Sequence, residues 1–223
     1  MCDLLVDRCV VATMGVGNGP AIGPGQADLH LIPSAAVAVT GGLIAAVGPR
    51  DEVLRAAGTP REVVDAGGRL VLPGLVDAHT HLVWAGDRAG EFERRAAGAT
   101  YLEIMAEGGG IAATVRATRA ASDEALLDAI LGRLDALLAH GVTTVEVKSG
   151  YGLSTQEELR QLRLVAEAGR RHPARLVPTF LGAHAVPDAY RGRQAAYVEL
   201  VVEEMLPAVA EAFPDAFCDV SCD

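Results

Sequence analysis

The pattern most capable of chemistry in this sequence is a pair of histidines, His79 and His81, separated by one residue. They follow a short apolar run that begins at Leu75 and is typical of a β-strand. Alternate residues of a strand point to the same side, so the two imidazoles project together, about 6–7 Å apart along the backbone. Neutral imidazole is a common ligand of zinc and other divalent transition metals. The spacing therefore predicts two metal ligands, against the alternative of two surface histidines at the start of a loop.

Two further residues follow the ends of predicted strands. A catalytic zinc site usually has three protein ligands and a water, so the histidine pair is incomplete by itself. His184 is a candidate for a further ligand or a substrate donor, and the alternative is a histidine that only closes its loop. Tyr151 lies between Gly150 and Gly152, where the backbone permits close approach and the phenol can hydrogen-bond a ligand.

Two cations complete the set of candidates. Arg88 follows the histidine pair closely and can bind a carboxylate through two N–H groups; the alternative is an ion pair with Asp87 or Glu91. Lys148 ends a predicted strand, where a carbamate that bridges two metals is conceivable. We favour the simpler interpretation, an ion pair of Lys148 with Glu146 or another carboxylate.

The elements that must position these side chains fall into two parts. The first ~70 residues are mostly β-structure with tight turns. The predicted strands are 3–12, 35–39, 43–47, 63–65 and 69–72, and the glycine-rich stretch from Gly15 to Gly25 is predicted to be a loop. We expect residues 1–72 to contribute to a small N-terminal β-sandwich.

After Pro73 and Gly74 the pattern changes to alternating strands and helices. Predicted strands lie at 75–79, 143–147, 175–180 and 217–220, and predicted helices at 123–140, 155–171 and within 193–213. Ser122 is a predicted N-cap, Gly141 a helix stop and Thr155 a second cap. This order is typical of an α/β protein with a parallel sheet or barrel. A (β/α)8 TIM-like barrel takes roughly 250 residues, and residues 73–223 hold about four strands, so they form either a half-length α/β domain or the first half of such a barrel.

Composition excludes several classes of protein. The chain has 223 residues, with 19 Lys and Arg against 29 Asp and Glu, and a net charge of −10. That balance argues against partners such as nucleic acid or an anionic membrane surface. No apolar run approaches the roughly 20 residues of a membrane span, and the first residues carry acids where a secretory signal carries bases. Four scattered cysteines do not form a disulfide scaffold, and we interpret Cys218 and Cys222 as buried thiols in a cytoplasmic protein.

Several motifs together resemble the imidazolonepropionase family of the metal-dependent amidohydrolase superfamily. The stretch from Pro73 to His81 is general to the superfamily. The more specific stretches are 85–88 (AGDR), 98–104 (GATYLEI), 108–111 (GGGI), 141–152 (GVTTVEVKSGYG), 179–187 (TFLGAHAVP) and 204–207 (EMLP). The resemblance covers essentially the whole chain.

The resemblance implies hydrolysis of 4-imidazolone-5-propanoate to N-formimino-L-glutamate in L-histidine degradation. It implies that His79 and His81 bind one Zn²⁺ or Fe³⁺ per subunit. Arg88 would hold the propanoate group, Tyr151 and His184 would also bind the small-molecule substrate, and a homodimer is suggested. The implied site is mononuclear. Lys148 falls on the second barrel strand, whereas the carbamate lysines of the superfamily lie on the fourth, which supports the ion-pair interpretation of Lys148.

The family continues well past residue 223, and the resemblance places the remaining metal ligands and the acid–base residue there. No catalytic acid or base is therefore expected within this chain, which we interpret as an N-terminal portion that is inactive and poorly folded by itself. The alternatives are another cyclic amidohydrolase or deaminase of the superfamily, or a catalytically inactive ligand-binding relative.

Overall fold

The computed structural model describes residues 2–15 and 21–221, and their contacts divide the chain into two compact units that meet between Pro73 and Gly74. The boundary lies one residue from the predicted boundary at 72 and 73. Among the described residues, no helix combines the length and apolar character needed to cross a membrane.

The first unit is built on one mixed sheet. Its elements are β1 (Cys2–Ala12), β2 (Leu31–Thr40), β3 (Leu43–Pro49), α1 (Arg50–Ala57), β4 (Pro60–Asp65) and β5 (Leu70–Val71). The strand order is β3-β2-β1-β4, with β5 also pairing with β1. Strands β1 to β3 are antiparallel neighbours, whereas β4 and β5 run parallel to β1.

The predicted strands 35–39 and 43–47 pair as a hairpin, but the predicted sandwich is not confirmed. Gly41 and Gly42 both have positive φ, 59° and 77°, as a two-residue turn between antiparallel strands requires. Val53 of α1 packs on one face of the sheet in a buried cluster with Leu5 and Ala38. A sandwich needs a second sheet facing the first, and the described residues of this unit supply only one sheet.

The predicted glycine-rich loop falls partly outside the described residues, which omit 16–20. Within the remainder, Gly23–Ala27 form a short 3-10 helix, so the expectation of loop throughout is wrong at that point. Pro24 stands in the first turn of this helix, where its fixed φ is tolerated and its missing N–H costs nothing.

The second unit alternates strands and helices, as predicted. Its elements are β6 (Leu75–Thr80), α2 (Ala89–Ala96), α3 (Tyr101–Ala106), α4 (Ile111–Ala120), α5 (Asp123–Ala139), β7 (Val142–Lys148), α6 (Thr155–Arg171), β8 (Arg175–Phe180), α7 (Gln194–Leu200), α8 (Leu206–Ala212) and β9 (Phe217–Cys218). The four strands form a parallel sheet in the order β6-β7-β8-β9.

One face of this sheet is covered and the other is open. Val145 and Val147 of β7 are 0% exposed and pack in one cluster with Ile130 of α5 and Val165 of α6. On the opposite face, Val76 is 66% exposed. The α/β architecture is therefore confirmed, as one helix-covered parallel sheet with an uncovered inner face.

The helix boundaries follow local chemistry. The Ser122 side chain accepts a hydrogen bond from the backbone N–H of Ala125, so the predicted cap of α5 is confirmed. The prediction that Thr155 caps α6 is wrong, because Ser154 occupies the N-cap position and Thr155 is the first helical residue. The Thr155 hydroxyl instead donates to Glu204.

The last predicted helix is interrupted by one wide π turn, Val201–Met205, between α7 and α8. Pro207 has no N–H to donate to the carbonyl four residues earlier, and its ring crowds that carbonyl. A locally widened turn relieves both effects. The prediction that Cys218 is a buried thiol is also wrong: Cys218 is exposed on β9 at the edge of the sheet, and Cys222 lies outside the described residues.

Ser122 and Ser154, the N-cap residues of α5 and α6, allow a test of the capping hydrogen bond. We expect Ser122→Ala to lower the free energy of unfolding by about 1 kcal/mol, because it removes an acceptor for an otherwise unpaired helix N–H. Urea denaturation of the full-length gene product measures it. Ser154→Ala is the matched control, since no cap hydrogen bond from its side chain is present in the described structure. Equal losses for both variants would contradict the assignment.

Candidate active site

The candidate residues meet because three parallel strands end at one edge of the sheet. Thr80 of β6 is in register with Val147 of β7, and Lys148 of β7 with Thr179 of β8. The loops that leave these strands therefore begin side by side, at the carboxyl edge where α/β proteins place their sites. The buried hydroxyl of Ser149 joins two of these loops by accepting a hydrogen bond from the backbone N–H of Leu181 at 3.0 Å.

Four of the predicted side chains form one ring cluster. The ring centroids of His79 and His81 are 6.2 Å apart. His81 stacks on His184 with 4.8 Å between centroids and an interplanar angle of 12°. Tyr151 lies 4.9 Å from His81 and 5.3 Å from His184. A register shift between Asp77 and Thr80 adds a residue to the end of β6, so a local irregularity, rather than simple alternation alone, directs the histidine pair.

His81 has the properties of a metal ligand. Burial lowers its pKa to about 4, and the positive potential of His184, His79 and Lys148 acts in the same direction. The imidazole is therefore neutral at pH 7, with a lone pair available. Its Nδ1 atom is buried and has no hydrogen-bond partner in the described structure. A buried nitrogen without a partner is costly unless a ligand satisfies it, so this atom fits a bound metal ion.

The histidine pair supplies only part of such a site. Within residues 2–15 and 21–221, no three His, Cys, Asp or Glu side chains converge to hold a metal ion. His184 stacks on His81, but its Nδ1 atom lies 3.0 Å from the carbonyl oxygen of Gly150. That partner occupies one of its two ring nitrogens and leaves Nε2 for a substrate or a metal ion, because a metal-bound histidine commonly uses its other nitrogen in this way.

Lys148 lies within electrostatic range of His81 and belongs to an ion-pair network. Its ammonium donates to Glu146 at 2.8 Å and to Asp219 at 2.9 Å, and its side chain is 7% exposed. Burial alone would lower the pKa of Lys148, but the two carboxylates raise it above the ordinary value. A protonated amine does not form a carbamate, so the structure supports the ion-pair interpretation.

The same network supports the end of β6. The backbone N–H of Thr80 donates to the Glu146 carboxylate at 3.3 Å, and the Thr80 hydroxyl donates to the Glu146 carbonyl at 2.6 Å. Thr80 stands between the two histidines. The Glu146 residue of β7 therefore holds both the backbone that carries the histidine pair and the ammonium group of Lys148.

Arg88 precedes α2 and forms an ion pair with Glu91, which is one of the two pairings that the sequence left open. Its Nε donates to Glu91 at 2.8 Å. Glu91 also accepts the backbone N–H of Gly110 at 2.7 Å, which connects Arg88 to the glycine-rich loop before α4. Burial raises the pKa of Tyr151, and the nearby charge of Arg88 opposes that rise. Arg88 therefore lies within electrostatic range of the ring cluster.

Two acidic residues of the site were not identified from the sequence. Asp219 reaches Lys148 from 71 residues along the chain. Glu158 lies at the start of α6 and accepts hydrogen bonds from the Tyr151 loop. No spacing signal marks Asp219, because only the pairing of β8 with β9 brings it to Lys148. Glu158 has a weak signal, an acid in the first turn of a helix.

Comparison with known proteins shows that the chain is similar to amidohydrolases. A model of the amidohydrolase family matches residues 62–91. The chain is 57% identical to a curated imidazolonepropionase from Symbiobacterium thermophilum, and the alignment covers 93% of this chain and 49% of the relative. It is 51% identical to an imidazolonepropionase from Solibacter usitatus, and that alignment covers 96% of this chain and 51% of the relative. The chain spans about half the length of the curated relatives it matches.

Solved structures share the fold at low sequence identity. The E241Q mutant of the atrazine chlorohydrolase TrzN from Arthrobacter aurescens TC1, complexed with zinc and atraton, has a TM-score of 0.58 at 16% identity, covering 97% of this chain and 46% of that chain. Guanine deaminase of E. coli has a TM-score of 0.58 at 17% identity, and the match covers 96% of this chain and 52% of the deaminase. At these identities the likeness concerns the fold alone.

The lowered pKa of His81 generates a prediction in the metal-free protein. We expect the His81 imidazole to stay neutral to about pH 4, whereas a histidine in the unfolded chain is protonated below 6.5. Because the unfolded state takes up the proton first, the stability contribution is complete above pH 6.5 and is lost as pH falls toward 4. An NMR titration of the imidazole resonances, assigned with His81→Gln, measures the pKa. A midpoint near 6.5 for His81 would contradict it.

Proposed function

Since the chain belongs to the imidazolonepropionase family of amidohydrolases, we propose that the protein hydrolyses 4-imidazolone-5-propanoate to N-formimino-L-glutamate, a step of L-histidine degradation. The observation that carries this proposal is identity of about half or more to imidazolonepropionases over nearly the whole chain. The ring cluster at the carboxyl edge of the sheet supports it, because the candidate ligands and substrate contacts converge there.

We propose His79 and His81 as two ligands of one Zn²⁺ or Fe³⁺ ion. The neutral state and unpartnered Nδ1 of His81 support this role. When bound, such an ion lowers the pKa of its water and polarises the carbonyl of a cyclic amide. The protein's own part is to present two imidazoles, of which that of His81 is neutral at pH 7, and Glu146, through Thr80, holds the backbone between them.

The substrate contacts proposed for this chain are Tyr151, His184 and Arg88. Tyr151 and His184 offer a phenol and an imidazole whose ring centroids lie 4.9 and 4.8 Å from that of His81. Arg88 uses its Nε on Glu91, which leaves its two terminal nitrogens for a carboxylate. That fork matches the propanoate group of the substrate. We assign no acid–base residue within this chain.

The finer architecture remains part of the proposal. The open face and the free edges at β6 and β9 are what a partial (β/α)8 barrel would present. We propose residues 73–223 as the first half of such a barrel and residues 1–72 as a contribution to a β-sandwich. A homodimer remains an expectation from the resemblance, and a cytoplasmic location remains an expectation from the composition.

Another cyclic amidohydrolase or deaminase is not favoured by the relatives. The fold likeness to guanine deaminase has 17% identity, against 57% to an imidazolonepropionase. Parallel assays with dihydroorotate and cytosine separate the two. Turnover of either compound without turnover of imidazolonepropanoate would overturn the proposal.

The function test uses the full-length gene product loaded with zinc and follows loss of the imidazolone ultraviolet absorbance. We expect His79→Ala to abolish turnover and to reduce the bound metal measured by elemental analysis, because a ligand is lost. His140→Ala is the matched control: His140 is exposed at the end of α5. Full metal content and activity in His79→Ala would contradict the ligand assignment.

Arg88→Ala tests the substrate contact. We expect a rise in KM of about 10-fold to 100-fold with a smaller change in kcat, because a charge-assisted hydrogen bond contributes about 1.5–3 kcal/mol. Arg116→Ala is the control, since Arg116 lies on α4 and contacts only Gly108 among the hydrogen bonds found in the described structure. An unchanged KM for Arg88→Ala would remove Arg88 from the substrate site.

The open sheet face generates a separate prediction. We expect residues 1–223 alone to show no turnover and to bind a hydrophobic dye, because Phe217 at 63% and Val76 at 66% exposure leave apolar surface and strand edges in water. Robust turnover by these residues alone would contradict it. Sedimentation of the same sample would show whether the exposed surface drives association.

A further inference from the structure

The segment that carries Tyr151 is anchored to one buried carboxylate. The backbone N–H groups of Gly150, Gly152 and Leu153 donate to Glu158 at 2.9, 2.8 and 2.7 Å. Glu158 is 0% exposed. We call residues 150–153 the tyrosine loop. Three of its four residues therefore depend on a single side chain, and the fourth is Tyr151.

The position of Glu158 explains why this carboxylate is tolerated inside the protein. A buried carboxylate without partners is strongly unfavourable, and hydrogen bonds offset that cost. Glu158 lies in the first turn of α6, where free backbone N–H groups and the helix dipole favour negative charge. Its side chain turns back over the helix start and satisfies the loop that precedes it.

Other contacts confine the tyrosine loop to one conformation. Arg119 of α4 donates from Nε to the carbonyl of Gly152 at 2.7 Å, and its second nitrogen donates to the same oxygen. A Cβ on Gly152 would meet backbone atoms of Glu157 and Glu158 at 2.6 Å. Leu153 has a φ of +53°, which is uncommon for a residue other than glycine. The loop is thus packed directly onto its anchor.

The same loop also fixes the second substrate contact. A Cβ on Gly150 would lie 2.9 Å from His184 Nδ1 and 2.9 Å from the carbonyl oxygen of Leu181. The Gly150 carbonyl lies 3.0 Å from His184 Nδ1. Glycine is required here because the two loops touch backbone to ring. A displacement of the loop would move Tyr151 and His184 together.

We propose that Glu158 is a positioning residue for the substrate contacts Tyr151 and His184. It binds three backbone N–H groups of the tyrosine loop and so places Tyr151 directly and His184 through Gly150. The functional part of this inference rests on the proposed function; the anchoring part does not. Glu158 touches neither reacting atoms nor the ring cluster directly. Its action is to hold a loop whose misplacement by about 1 Å can cost 10²-fold in rate.

The first test measures the anchor without activity. In Glu158→Gln of the full-length protein, the amide nitrogen replaces one acceptor oxygen, so at least one of the three loop N–H groups loses its partner. We expect faster amide hydrogen exchange in peptides that cover residues 149–153. Glu157→Gln is the matched control on the same helix, because Glu157 pairs with Arg160 instead. Unchanged exchange in Glu158→Gln would overturn the anchor.

The second test measures the functional consequence by a double-mutant cycle. We expect Glu158→Gln to lower kcat/KM for imidazolonepropanoate about 10-fold to 100-fold, with KM carrying most of the change. In a Tyr151→Phe, His184→Gln background the same substitution should change kcat/KM less than about 3-fold, because the groups it positions are gone. Equal effects in both backgrounds would overturn the positioning role.

Arg119→Gln provides an independent test if Glu158→Gln does not fold. Arg119→Gln alters an exposed side chain that holds the same loop through Gly152. We expect the same pattern at smaller size: faster exchange in 149–153 and coupling to Tyr151→Phe. If Arg119→Gln shows neither faster exchange nor coupling to Tyr151→Phe, the inference is overturned. Absence of wild-type turnover would count against the proposed function alone, since hydrogen exchange still decides the anchor.

Discussion

The parallel pairing of β6, β7 and β8 is the constraint on which the site depends. Parallel neighbours in register end at one edge, so Thr80, Lys148 and Thr179 bring three loops to the same level. Burial of Val145 and Val147 against α5 and α6 makes that register costly to change, because a shift of one residue would turn apolar side chains to the open face. Every side chain of the ring cluster follows from this arrangement.

The charges at the carboxyl edge of the sheet depend both on where the ionisable groups lie and on which of them are protonated. Lys148 is charged and buried, and Glu146 and Asp219 compensate its charge. His81 stays neutral, because burial, and to a smaller extent the positive potential of His184, His79 and Lys148, disfavour a further proton. The site thus holds a charged lysine within electrostatic range of a neutral imidazole. A neutral imidazole can donate its lone pair, whereas a protonated one cannot.

The loops above the edge are restrained by backbone hydrogen bonds, and their own side chains stay available. Glu158 binds three N–H groups around Tyr151, and Ser149 accepts from the loop that leads to His184. Neither restraint uses the phenol of Tyr151. A substrate contact that is held by its backbone keeps its polar atom for the ligand, and this is how preorganised sites reduce the entropy lost on binding.

Local patterns in the sequence determined most of the elements and the set of candidate residues. Apolar periodicity and the Ser122 cap predicted α5, and the spacing of His79 and His81 after a strand predicted the paired imidazoles. These features depend on neighbours within a few residues, so they can be recognised from sequence. The cap at Thr155 was placed one residue late because Ser and Thr both suit that position.

The tertiary structure alone decided which distant groups complete the site. Asp219 reaches Lys148 only because β9 pairs with β8, and the neutrality of His81 follows from burial that no spacing reveals. Glu158 acts through backbone N–H groups, which every residue except proline carries and which therefore leave no sequence signal. Long-range pairing and desolvation are properties of the folded chain, and for this reason the partners of the candidate residues could not be inferred from the residues themselves.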